Sequence, residues 1–190
     1  PHIVVYAFLA LDGAPLLKGT VAEGAPAGRF VLRNAFGPRV LRCGYALANG
    51  NLWWPTRVLL DGADITNVPT DFSTLENGQL DVVFTQHPAR FAGTVTDGQG
   101  QPVMGAWIVV CAVDRTLWQE WATTSHAVQA DARGAFRFTS LPGRYLVRAF
   151  PSTAFSSKRS ALQQIERFAS GAMPVELGHR ELKTLNLAIH

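Results

Sequence analysis

The sequence predicts an all-β protein: two tandem antiparallel β-sandwich domains, 1–87 and 88–190, with one short helix near 161–170 in the second. Three observations predict it. Side chains alternate where the second half begins, with Phe91, Gly93 and Val95 on one face and Ala92, Thr94 and Thr96 on the other. That is the period of a strand with one buried side. Apolar runs of strand length are separated by turn chemistry: Asp97-Gly98-Gln99-Gly100, then Pro102, which cannot continue a central strand, and later Leu141-Pro142-Gly143. No helical period interrupts these runs before Phe150.

Composition supports a folded chain. Of 190 residues 47% are apolar and 16% charged, which supplies a core and excludes a disordered polymer. No run approaches the ~18–20 apolar residues of a spanning helix, so no direct membrane span is expected. The chain opens at Pro1 inside an apolar run, which reads as an excised piece of something longer.

In the first half, His2 to Ala10 reads as a strand broken by Leu11-Asp12-Gly13, and Lys18 to Ala27 as a small-residue loop. Gly28 to Leu32 repeats the form of Gly134 to Phe138, and Arg39 to Tyr45 repeats the strand at Tyr145, a weak internal repeat. Trp53 to Leu60 runs into the Asp61-Gly62 turn, and Gln79 to Thr85 closes the domain. This domain lacks its first strand, so the edge beside His2–Ala10 is expected to be open. At His87-Pro88-Ala89 the proline forces its predecessor to be extended and stops the ladder, which places the boundary there.

The second half continues with a uniformly apolar strand, Trp107 to Val113, then strands at Ala135–Thr139 and Tyr145–Phe150. Ser160 and Gln163 have capping-box spacing, and Leu162, Ile165 and Phe168 recur at helical intervals up to Gly171, predicting a helix over Ala161–Ser170. Val175–Leu177 and Leu182–Ile189 are the final strands, the latter turning Leu185, Leu187 and Ile189 inward.

These residues also carry a resemblance. Gly93, Val95, Asp97, Gly100, Pro102, Val103, Gly105 and Ala106, followed by Asp131, Gly134, Phe136, Phe138, Leu141, Pro142, Gly143 and Tyr145, match in order the pattern of the carboxypeptidase regulatory-like domain. That family is a transthyretin-like, seven-stranded sandwich, related in architecture to Ig-like domains and found in bacterial envelope and secreted proteins. One departure is the single Pro142, where the family carries two prolines. The segment from Val58 to Pro69 with Leu80–Thr85 resembles one that often precedes this domain in multidomain envelope proteins. The resemblance implies a periplasmic or extracellular accessory domain without activity of its own, and it puts Trp53 at a core position, leaving Trp54 more exposed.

Charge is uneven. Residues 1–88 hold six basic and seven acidic side chains, and residues 89–190 hold eleven and seven, so the second half carries the excess. Arg137, Arg144 and Arg148 can share a hairpin face, but with only three lysines in the chain a nucleic-acid partner is not expected. Cys43 and Cys111 fall one in each domain, as buried free thiols.

The pattern offers no catalytic, cofactor-binding or metal residues. His2, His87, His126, His179 and His190 have no ligand partners at metal spacing, and neighbouring Ser125 and His126 point opposite ways on an extended chain. Asp12-Gly13, Asp61-Gly62 and Asp97-Gly98 lack the further carboxylates of a calcium loop and read as turns. The candidate contact residues for a partner or a sugar are Trp118, Trp121 and Arg115, in the insert between Asp114 and Asp131, and Trp54. The expected role is a non-catalytic structural or interaction module of a larger envelope or extracellular protein. Its partners are other protein chains or upstream domains, with strand addition beside His2–Ala10 as one route. The alternative is a carbohydrate-binding module that stacks sugars on exposed tryptophan.

Overall fold

Strands dominate the computed structural model, which describes residues 5–9, 17–18, 36–43, 46–48, 51–75, 77–118, 122–169 and 171–189. The protein is all-β with a few short helical turns. It divides into two compact units, Pro1–His87 and Pro88–His190.

The first unit holds β1 (Val5–Leu9), β2 (Leu17–Lys18), β3 (Pro38–Cys43), β4 (Ala46–Ala48), β5 (Asn51–Leu60), β6 (Ala63–Asp64), β7 (Thr70–Asp71) and β8 (Leu80–Thr85). One sheet runs β2-β1-β3-β7, and the other is built on β5, which pairs with β4, β6 and β8. Leu41 from the first sheet meets Val58 and Leu60 from the second, with Ile65 and Phe72 closing the cluster. Pro55 has no N–H to give, and the β5–β8 register shifts between Pro55 and Arg57. Asp61 makes the turn after β5: its N–H donates to Gln79 O at 2.9 Å and its Oδ1 accepts from Gln79 N at 2.9 Å.

One expectation is corrected here. The edge beside His2–Ala10 is not open over Tyr6 and Ala7, because β2 pairs there while β3 runs along the other side of β1. Two residues are too few to show alternation, so the covering strand left no periodic signal. His2–Val4, Ala10, the Leu11-Asp12-Gly13 break, the Gly28–Leu32 strand and most of the Lys18–Ala27 loop lie outside the described residues.

The second unit holds β9 (Ala89–Thr96), β10 (Trp107–Ala112), β11 (His126–Gln129), β12 (Ala135–Ser140), β13 (Gly143–Phe150), β14 (Met173–Leu177) and β15 (Leu182–Ala188). They form two sheets, β11-β10-β13-β14 and β12-β9-β15. Phe91, Val95, Phe136, Leu185 and Leu187 from one sheet and Ile108, Val110, Tyr145, Val147, Val175 and Leu177 from the other share a single core. Two Asp-x-x-Gly turns shape the unit identically. Asp97 Oδ1 accepts from the N–H groups of Gln99 and Gln101, both at 2.9 Å, and Asp131 Oδ1 from those of Arg133 at 2.8 Å and Ala135 at 2.9 Å. The glycines that end them, Gly100 and Gly134, have φ of 79° and 71°, a region that favours glycine. Gly134 is doubly required, since a Cβ there would sit 2.6 Å from Val95 O.

Three details differ from the sequence expectation. The sheets are not wholly antiparallel, because β15 runs parallel to β9. The chain crosses from β14 to the other sheet through Gly178–Glu181, so β15 arrives beside β9 in the same direction. An extra strand, β11, was too short for its alternation to register. The single helix at 161–170 is two, α1 (Lys158–Leu162) and α2 (Ile165–Ala169). Its cap lies a turn earlier than predicted: Ser160 N donates to Ser157 Oγ and Ser157 N to Ser160 Oγ, each at 3.1 Å. An i→i+3 bond from Gln164 N to Ala161 O, 3.2 Å, tightens the chain between the two pieces.

α1 and α2 roof the outer face of the β11-β10-β13-β14 sheet. Ala161, Leu162, Ile165 and Phe168 pack on Trp107, Val109, Cys111 and Ala127. Every residue of β10 is therefore buried, Ile108 and Val110 inward and Trp107, Val109 and Cys111 outward. This is why that strand reads as uniformly apolar.

Candidate functional site

The insert after β10 opens with a defined local chemistry from Asp114 to Trp118. Asp114 starts a 3₁₀ turn, Arg115–Leu117, with its Oδ1 accepting from Thr116 Oγ1 at 2.7 Å and Thr116 N at 3.0 Å. Those two bonds, the side-chain one first, hold the Asp114 carboxyl below the usual carboxylate range. Trp118 follows, half-buried against the cluster under the helices. Its Nε1 donates to Ala112 O at 2.6 Å, and the Arg115 guanidinium lies 5.0 Å from its ring centroid. The structure thus brings Trp118 and Arg115 together as a packed pair. Trp121 lies outside the described residues. Trp54 is on β5, opposite Thr85, and it and Trp53 are both half-buried.

A polar chain that sequence reasoning missed links the two sheets of the second unit. His126 Nε2 lies 3.0 Å from Ser140 Oγ, Ser140 Oγ donates to Tyr145 OH at 3.0 Å, and Tyr145 OH donates to Leu141 O at 2.6 Å. The direction follows from the last bond. The phenol hydrogen is committed to a carbonyl, so the phenol oxygen accepts from Ser140, and Ser140 in turn accepts from His126 Nε2–H. A nucleophilic serine needs the opposite order, with its hydrogen aimed at the imidazole. Burial pushes the Tyr145 phenol up to about 12, against the smaller pull of the Ser140 bond. His126 also packs on Phe138, ring centroids 5.0 Å apart. The three residues sit on β11, β12 and β13, and only Tyr145 belonged to a recognised pattern.

Cys111 is buried and Cys43 half-buried, both unpaired, and burial pushes each thiol up to about 12. Among the described residues, no three His, Cys, Asp or Glu side chains cluster as metal ligands, and no helix is long and apolar enough to cross a membrane.

No protein-family model matches the sequence, and no curated protein matches it. Among solved structures, the chain is similar to the group B streptococcus pilus 2b backbone protein at 17% identity, with a TM-score of 0.34 over 64% of this chain and 46% of that one. BcpA, the major pilin subunit of Bacillus cereus, matches at 12% identity and a TM-score of 0.35, over 76% of this chain and 57% of that one. A streptococcal ancillary pilin matches at 13% identity and a TM-score of 0.37, over 99% and 61%. The chain spans about half the length of the first two, at 46% and 57%. Likeness this slight carries no argument about role.

Proposed function

We propose that this chain is a non-catalytic structural and interaction module of a larger periplasmic or extracellular protein. In this reading residues 1–87 and 88–190 are tandem β-sandwich domains, the second of carboxypeptidase regulatory-like, transthyretin-like type. The partners are other protein chains or neighbouring domains. One observation carries the reading: the direction of the His126–Ser140–Tyr145–Leu141 chain, which spends the unit's serine–histidine contact on joining two sheets. Asp97 and Asp131 are spent likewise, on backbone N–H groups of turns.

The sugar-binding alternative is weaker. A pyranose stacking on Trp118 would have to displace Arg115 from the ring or the ring from the cluster beneath the helices. The test is labelling of the intact chain with a fluorophosphonate, which reports activated serines, followed by mass mapping. Ser140 is expected to stay unlabelled. Covalent modification at Ser140 would overturn the reading.

A further inference from the structure

The outer face of the β12-β9-β15 sheet is the counterpart of the roofed one, and its composition is different. The pairing registers set three rows across it: Ala135–Thr94–Asn186, Arg137–Ala92–Thr184 and Thr139–Arg90–Leu182. All nine point away from the core, since the residues alternating with them, among them Phe91, Val95, Phe136, Leu185 and Leu187, form it. Thr94, Arg137, Leu182, Thr184 and Asn186 are exposed and the other four half-buried. The face is open to solvent.

Among these nine residues the charged ones are Arg90 and Arg137. Among the described residues neither guanidinium has an ion-pair or hydrogen-bond partner. The carboxylates bordering the face are held elsewhere: Glu181 by Gly178 N and Lys183, Asp131 and Asp97 by the turn N–H groups. Arg90 and Arg137 are diagonal neighbours on adjacent strands, roughly 7–8 Å apart at their stems, a spacing that lets both reach carboxylates on one extended chain.

We propose that this face docks an acidic polypeptide segment, with carboxylates on Arg90 and Arg137, main chain lying close over Ala92, Thr94, Ala135 and Thr184, and an apolar side chain beside Leu182. The inference rests on the interaction reading above and names its surface and partner chemistry. Charge complementarity demands an acidic partner. A glycan or single-stranded nucleic acid would want aromatic platforms, and Phe91, Phe136 and Phe138 on these strands all turn inward. A second copy docking by the same face would set arginine against arginine. The footprint is about 300 Å², from three strands at ~4.8 Å spacing and six residues at ~3.3 Å, against the ~800 Å² per partner of stable complexes. The contact is therefore weak and salt-sensitive.

The test uses the full chain and a fluorescein-labelled peptide of about ten residues alternating Glu and Thr, read by fluorescence polarisation at ~10 mM and ~150 mM salt. Binding should weaken about three- to five-fold in Arg90→Gln and in Arg137→Gln, and be lost in the double variant, while the exposed Arg133→Gln and Arg144→Gln stay within about two-fold. These outward substitutions leave the core untouched, and melting curves verify folding. Equal losses at all four arginines, or none at Arg90 and Arg137, overturn the proposal. So does polyglucuronate bound through the same pair, or self-association that the same double variant abolishes. Any of these outcomes leaves the interaction reading standing, whereas labelled Ser140 sinks that reading and leaves this surface intact.

Discussion

The two outer faces of the second unit show how one fold treats two surfaces. Both belong to sheets that share a core, yet one carries Trp107, Val109, Cys111 and Ala127 under a helical roof and the other Arg90, Ala92, Thr94 and Arg137 under nothing described. The difference is written in strand pattern. β10 is apolar at both parities because both of its faces are covered, whereas β15 alternates Leu185 and Leu187 with Thr184 and Asn186 because only one is. The roofed face is therefore committed to stability, whereas the bare face keeps Thr94, Arg137, Thr184 and Asn186 exposed.

Removing the roof should produce the largest effect. Phe168 is 2% exposed and packs edge-on to Phe150, ring centroids 6.2 Å apart. Phe168→Ala is expected to cost about 3–5 kcal/mol, the range for a buried aromatic truncated to a cavity. Chemical denaturation measures the loss, and increased binding of an apolar dye would show the Trp107–Cys111 face uncovered. A cost under about 1 kcal/mol would mean the roof is not part of the fold, and the contrast between the faces would disappear.

Much of this contrast was legible in the residues. Alternation set Ala92, Thr94 and Thr96 on the face opposite Phe91 and Val95, and Asp97 with its glycines marked a turn, because both signals depend on a few adjacent residues. What was not legible depended on distant pairing or very short elements. Nothing near Leu182 indicates that β15 will run parallel to β9, since that follows from the crossing at Gly178–Glu181. β2 and β11 are too short for a period, and the Ser157–Ser160 box competed with an equally good spacing at Ser160–Gln163. At the candidate site, Trp118 and Arg115 were found as residues, but their pairing was not, because it needs Ala112 O brought beneath the indole. The Tyr145 chain was hidden for the same reason: its members lie on three strands.

An intermediate effect should come from the link between the sheets. Tyr145→Phe strips the acceptor from Ser140 and the donor from Leu141 O, and is expected to cost about 1–2 kcal/mol near neutral pH. The variant should also change the alkaline limb. The folded phenol titrates at about 12 against an ordinary 10.0, so its protonated form stabilises the fold fully below pH 10 and that contribution is lost as pH rises toward 12. Cys43 and Cys111, raised from 9.0 to about 12, act in the same direction, so the measurement is the difference between wild type and Tyr145→Phe across pH 9–12. The variant should show the shallower fall. Parallel curves with no offset would mean that the phenol does not link the sheets.

The smallest expected effect lies on the bare face and bears most directly on what that face is for. Thr184 is exposed in the middle row, beside Ala92, and its side chain has no partner among the described residues. Thr184→Ala gives up only β-propensity on an edge strand, so the cost should stay within about 0.5 kcal/mol by the same denaturation assay. Val109→Ala is the matched change on the roofed face, a mid-strand position fully buried there, and it should cost several times as much. The ratio between the two is the informative quantity. If Thr184→Ala proved as costly as Val109→Ala, Thr184 would have to be covered in the folded protein. Arg90 and Arg137 would then lie beneath that same cover and could not receive an acidic partner. A small cost keeps the face free, and it is the condition on which the arginine pair can act.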